Sequence, residues 1–281
     1  MWPRKIICLT SEMTELVFAL GAGDRIVGVS GYSVRPPAAR QKEKVAAFTS
    51  IRLDKIRVLK PDLVLGFSDL QKDIARDLVA EGFHVFISNQ RTLEEIGDVI
   101  LAVGRLIGCE KKAKQIHKKF FQELDQLSLN VKKGAEKPRV YFEEWDEPMI
   151  SGISWVSGLI ERLGGIDIFR DKSSGKTASQ RYVSSDEVIA ANPDIILASW
   201  CGKKVRPEKI MARPGWDQIK AVHENRIYEI KSSDILAPGL SLLHGARQIA
   251  EIFRSYRRLF QLTVLPKKAT LQPLCQPKRS S

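Results

Sequence analysis

Aromatic side chains recur just beyond short apolar runs of the kind that build buried strands: Tyr32 after Ile26–Val29, Phe67 after Leu63–Leu65, Trp145 after Arg139–Glu143 and Trp200 after Ile195–Leu197. Trp155 opens an expected helix after the turn Ser151–Ser154. Such side chains offer a broad apolar face and, in Trp and Tyr, one polar atom, which suits a flat or bulky ligand. The plainer reading for Trp145 and Trp200 is that they cap a sheet. Tyr32 lies in the loop before Pro36 and Pro37 and has no core to fill, whereas Phe48 reads more readily as core. Glu143, Glu144, Trp145, Asp146 and Glu147 form a dense acidic run at a strand end. Its carboxylates either hydrogen-bond the polar rim of a ligand, Glu144 foremost, or lie solvated in a loop.

Other reactive residue types are scattered. Cys8, Cys109, Cys201 and Cys275 form no Cys-x-x-Cys pair, which argues against structural zinc, and Cys8 reads as a small core residue. His84, His117, His223 and His244 lie far apart without ligand spacing; His244, after the loop Ala237–Gly239, is the best candidate for a cleft histidine. There is no Gly-x-Ser-x-Gly, phosphate loop or His-Glu-x-x-His. The expectation is a non-enzyme with no catalytic residues, no resident metal and no cofactor.

The elements that must position these residues are written into the chain twice. Leu53–Leu65 and Ser185–Leu197 each place an acid, Asp54 or Asp186, near a helix start, then Pro-Asp, then an apolar run. Proline stops the helix and aspartate turns the chain into a buried strand. Strands alternating with helices predict parallel sheets with helices on their faces, and a repeat predicts two similar α/β lobes with a ligand cleft between them. In parallel sheets ligand lies beyond the carboxyl ends of strands, where the aromatics above are expected. Between the lobes, residues 108–134 are strongly charged, with Ile116, Phe120, Leu124 and Leu127 at helical spacing. This predicts one amphipathic helix, roughly 30 Å or more long, joining the lobes rigidly. The expected organisation is a first lobe over 1–107, the helix over 108–134, a second lobe over 135–256, and a basic, disordered tail over 257–281.

Charged residues make up 28% of the chain and the net charge is +12, half of it carried by the six basic residues from Arg257 onward. The rest shows no basic stripe with interleaved aromatics, so nucleic acid is not an expected partner. Met1–Lys5 lead directly into the first expected strand, without an apolar signal region or membrane-spanning stretch. As written, the chain reads as cytoplasmic.

The string Thr14–Ser30, with Tyr32 before Pro36-Pro37, Lys60-Pro61-Asp62-Leu63-Val64 and Asn192-Pro193-Asp194-Ile195-Ile196, resembles substrate-binding proteins of cobalamin and iron–siderophore ABC importers over about residues 4–256. The resemblance implies one Fe/B12-type domain of two lobes on a helical backbone. Its ligand would be a corrinoid or ferric siderophore, bound by Tyr32, Phe67, Glu144, Trp145, Trp155 and Trp200. Cobalamin-binding relatives carry aromatics at the positions of Tyr32, Phe48 and Phe67; the chain departs from them after Lys176, where Gln180 stands at a usually aromatic position and Tyr182 follows. It further implies that Asp54 and Asp186 dock on the importer's permease, that the chain is a monomer, and that it is periplasmic or at the cell surface if its start is misplaced. For Asp54 and Asp186 the alternative is service to the helix dipole. Two other readings stay open: a cytosolic tetrapyrrole or metal chelatase-like enzyme, and a cytosolic corrinoid carrier or sensor without a permease.

Overall fold

Both copies of the repeat end their helix in the same way. Lys60 and Asn192, just before the two prolines, take left-handed backbone with φ of 47° and 42°. Asp62 Oδ2 then accepts hydrogen bonds from the backbone N–H groups of Arg4 and Lys5 at 2.7 and 2.9 Å. Asp194 Oδ2 accepts one from the N–H of Arg139 at 2.9 Å. Each aspartate therefore clamps the start of the first strand of its lobe beside the strand it introduces.

The structure is a computed structural model and describes residues 2–129 and 136–264. The first lobe runs β1 (Ile6–Cys8), α1 (Ser11–Ala19), β2 (Ile26–Ser30), β3 (Glu43–Ala46), α2 (Leu53–Leu59), β4 (Leu63–Phe67), α3 (Lys72–Ala80), β5 (Val85–Ser88) and α4 (Leu93–Leu106). Helix α5 (Glu110–Leu129) leads to the second lobe, which opens with β6 (Arg139–Asp146), β7 (Met149–Ser151), α6 (Ser154–Arg162), β8 (Ile166–Asp167) and α7 (Arg170–Ser173). It continues through α8 (Ser185–Ala191), β9 (Ile195–Ala198), α9 (Pro207–Met211), α10 (Lys220–His223), β10 (Ile227–Glu229), α11 (Ser232–Ile235) and α12 (Leu242–Val264).

The first sheet has the order β3-β2-β1-β4-β5 and every pairing is parallel. In the second, β10-β9-β6 is parallel, while β8 and β7 share the other edge of β6. β7 is antiparallel to β6, unlike the expected all-parallel sheet. Only Glu147 and Pro148 separate the two strands, and so short a link can only reverse the chain. β3, β7 and β8 were not expected at all; each has four residues or fewer, too few for a periodic signal.

The expected linking helix is present as α5, with Phe120 and Leu124 buried as their spacing requires. Residues 130–134 of the expected span lie outside the described residues. A close α4–α5 approach needs Gly104, since a Cβ there would stand 2.2 Å from that of Ala113. The tail begins later than expected. α12 continues to Val264, because apolar residues keep helical spacing past Tyr256 and the first proline is Pro266. Arg257 is thus helical, and its Nη2 donates to the carbonyl of Gly164 at 2.9 Å. Cys275 and the rest of 265–281 lie outside the described residues.

One apolar cluster runs through both lobes. It joins Ile6 and Leu65 of the first sheet to Ile100 of α4, to Phe120 and Leu124 of α5, and on to Phe142 of β6 and Phe253 of α12. The lobes share a core as well as a helix.

Candidate functional site: the cleft between the lobes

Strands β1, β2, β4 and β5 end on one side of the first sheet, and β6, β9 and β10 on the corresponding side of the second, where loops from both lobes meet. Phe67 closes β4 and Trp155 stands in the first turn of α6; their ring centroids lie 6.3 Å apart, edge to face, across the interlobe seam. The indole N–H of Trp155 donates to the carbonyl of Ile235 at 2.9 Å. The two side chains are only 5% and 4% exposed, so they are buried within the interlobe seam.

Polar groups tie the lobes beside that pair. Arg35, in the loop after β2, donates from Nε to Glu15 Oε1 at 3.1 Å and from Nη1 to Asp234 Oδ1 at 2.6 Å, and also reaches the carbonyl of Ser233. Gln90 Nε2 donates to the carbonyl of Pro238 at 3.0 Å. Burial pushes the carboxyl of Asp234 up, but Arg35, Gln248 and Ser233 together hold it below its ordinary value. For Glu15, burial wins over Arg35 and the carboxyl is raised.

In the second lobe, Trp200 follows β9 and is 2% exposed, its indole N–H donating to Glu143 Oε1 at 3.0 Å. Trp145 is half-buried against the same cluster. Lys203 Nζ lies 4.2 Å from the Trp145 ring centroid and 4.9 Å from that of Trp200, and pairs with Asp146 at 2.5 Å. The first lobe repeats the motif, with Arg91 over the Phe67 ring at 5.9 Å and paired with Asp69 at 2.7 Å. Each sheet therefore presents at its strand ends an aromatic covered by a cation. Tyr32 is 66% exposed.

Three carboxylates of the acidic run, Glu143, Glu144 and Asp146, are held in ion pairs, while Glu147 is exposed. Glu143 is fully buried and receives both Nη1 and Nη2 of Arg213, at 2.6 and 3.0 Å, together with the hydroxyl of Tyr141 at 3.2 Å. Glu144 receives both Nη atoms of Arg181, at 2.6 and 2.9 Å. These pairs pin β6 to segments far along the chain, and losing one partner of such a pair leaves a buried charge uncompensated. On one flank of the seam, Thr92 and Glu94 of the first lobe and Ser154, Ser157, Arg162 and Arg170 of the second line an open groove of ≈ 520 Å³.

Of the expected residues, the fold brings Phe67 to Trp155, and Trp145 to Trp200; Tyr32 stands in the loop that Arg35 fastens. Phe48 is half-buried, and its carbonyl accepts from Gln71 Nε2 at 2.8 Å. Gln180 serves a capping box with Thr177, and Tyr182 is 44% exposed. His244 is exposed with Nδ1 3.3 Å from Arg247 Nη1, and no group of three or more His, Cys, Asp or Glu among the described residues could hold a metal ion. Asp54 and Asp186 are exposed in the first turns of α2 and α8 and make no ion pair among the described residues, while Ser184 and Glu187 form the expected capping box. The cations Arg35, Arg91 and Lys203 were missed. Arg35 and Lys203 follow Tyr32 and Trp200 by three residues, so searching strand ends for basic as well as aromatic residues would have found them.

The periplasmic binding protein family profile matches residues 6–233. An uncharacterised ABC transporter substrate-binding lipoprotein of Bacillus subtilis is 27% identical over 257 residues, covering 89% of this chain and 79% of that protein. A vitamin B12-binding protein of Vibrio cholerae is 28% identical over 251 residues, covering 88% and 87%. Among solved structures, a possible iron-binding periplasmic protein from Staphylococcus epidermidis superposes with a TM-score of 0.79 at 24% identity, covering 90% of this chain and 99% of that one. A periplasmic heme-binding protein from Roseiflexus gives 0.77 at 20% identity, covering 90% and 98%. The expectation of a cytoplasmic protein finds no support in these relatives, whose family is periplasmic or lipoprotein. With its two α/β lobes, linking helix and seam of strand ends, this chain belongs to the periplasmic binding protein family, as a substrate-binding protein of the ABC-importer type.

Proposed function

We propose that this protein captures a corrinoid, tetrapyrrole or ferric chelate between its lobes, in the cell envelope, and passes it to the permease of an ABC importer. The observation that carries the ligand reading is the pair of cation-covered aromatics at the strand ends. Phe67 and Trp200 are buried beneath Arg91 and Lys203, so what they present to a ligand is a cation, paired with Asp69 or Asp146, over an apolar base, with Tyr32 exposed and Trp145 half-buried beside it. This favours a chelate with acidic groups at its rim, such as carboxylates or catecholates, over the amide-rimmed cobalamin. Glu144 contributes by holding Arg181 in place rather than by touching ligand. Each chain supplies both walls of its own cleft, which fits a monomer. Asp54 and Asp186, one per lobe on the side where strands end, are the docking points for basic permease residues.

Tryptophan-fluorescence titrations against cobalamin, cobinamide, haem and several ferric siderophores test this. Saturable binding is expected, tightest for a chelate bearing carboxylates or catecholates. Tightest binding of cobalamin would overturn the acidic-rim reading, and failure of every chelate to bind would overturn the capture reading itself.

A further inference from the structure

The first half of α5 carries Lys111, Lys112, Lys114, Lys118 and Lys119, all exposed. At 3.6 residues per turn the five fall within an arc of roughly 160° on the outward face, along about 12 Å of helix. The three acids of α5 are already engaged: Glu110 with Lys114 at 3.1 Å, Asp125 with Arg162 at 2.6 Å, and Glu123 with Arg247. Lys111, Lys112, Lys118 and Lys119 make no ion pair among the described residues. Trp2 stands at the edge of this face. Its indole packs on Gly108, in the turn before α5, yet the residue is 61% exposed, and Arg4 and Lys5 beside it are exposed too.

We propose that this lysine face, edged by Trp2, is a docking surface for an anionic phospholipid bilayer. It is a convex helix surface of flexible point charges on long apolar stems, and these can reach toward headgroups while the stems lie in the interface. An indole with one apolar and one polar side belongs at that depth. Nucleic acid calls for a different surface, with arginine forks and aromatics interleaved along a groove. Because α4 runs the length of the first lobe away from the strand ends, α5 starts at the far end, and docking there leaves the cleft and the Asp54–Asp186 side uncovered. The inference does not depend on which ligand the cleft takes.

Co-sedimentation of the full chain with phosphatidylcholine vesicles, with and without phosphatidylglycerol, decides it. The comparison is with a K111Q/K112Q/K118Q/K119Q variant, which keeps every ion pair and the basic residues after Arg257; its melting temperature, unchanged from wild type, shows that it folds. Wild type should bind only vesicles containing phosphatidylglycerol and come off at high salt. The quadruple variant should bind about tenfold or more weakly, and Trp2→Ala about two- to threefold more weakly. Equal binding of wild type and quadruple variant, or no wild-type binding, would overturn the proposal. So would tighter, equally lysine-dependent binding to heparin or duplex DNA than to vesicles.

Discussion

Glu12 shows what burial does to one side chain at the seam. It sits in α1 at 6% exposure, packed so closely on Gly239 of the other lobe that a Cβ there would lie 2.6 Å from its own. Burial pushes its carboxyl above the ordinary value of 4.5, outweighing the nearby hydroxyls of Thr10 and Ser11 and its own backbone N–H, and Glu15 adds to the rise. A raised folded-state pKa means the folded protein holds this proton more tightly than the unfolded chain. The associated stability is present below the unfolded value and is lost as pH climbs through the folded value. Glu12→Gln should therefore stabilise the protein by about 1–2 kcal/mol near neutral pH and have little effect below about pH 4, as read from melting temperatures across pH. A stabilisation independent of pH would show that Glu12 is not held protonated. Nothing local in the sequence around Glu12 says that the second lobe closes over it. Likewise Glu143 and Glu144 read as a ligand-facing or solvated run, because their partners Arg213 and Arg181 are 70 and 37 residues away. Pairings at such separation leave no local trace.

The Pro-Asp units were legible because all their signals are local: an acid in the first turn, a left-handed residue, proline, then aspartate and an apolar strand. Their second purpose, clamping the first strand of each lobe, was not, since Arg4 and Arg139 lie 58 and 55 residues from their aspartates. The antiparallel β7 and the short β3 escaped for want of periodicity. α2 and α8 also make the docking prediction concrete. Of the basic residues on these helices and nearby, Lys55 pairs with Glu43, Arg57 with Glu81 at 2.7 Å, and Lys172 with Glu187 at 2.7 Å. Asp54 and Asp186 are exposed and make no ion pair among the described residues. Converting both to lysine should abolish uptake in a reconstituted importer without changing ligand affinity. Undiminished uptake would leave them only the helix dipole, where each contributes about 0.3–1 kcal/mol.

At the level of the molecule, two lobes, one helix and a cleft could be read from the repeat, whereas the shared core could not. That core strengthens the expectation of a rigid frame. Opening the lobes would expose side chains such as Phe67, Trp155 and Ile100 as well as bend α5, which has no proline to kink it. Small-angle scattering should thus give nearly the same radius of gyration with and without ligand, with movement confined to loops around Tyr32 and Trp145; a large decrease on binding would show that the lobes hinge. The central claim, that ligand lies between the lobes at the strand ends, is tested most directly by hydrogen–deuterium exchange of the full chain, free and saturated with the tightest-binding chelate of the titration panel. Protection should appear in the loops carrying Tyr32 and Arg35, Phe67 and Asp69, Arg91, Trp145, Lys203 and Asp234, and α5 and the outer helices should be unchanged. Protection centred on α5 or on the outer face of either lobe, with those loops unaffected, would contradict it.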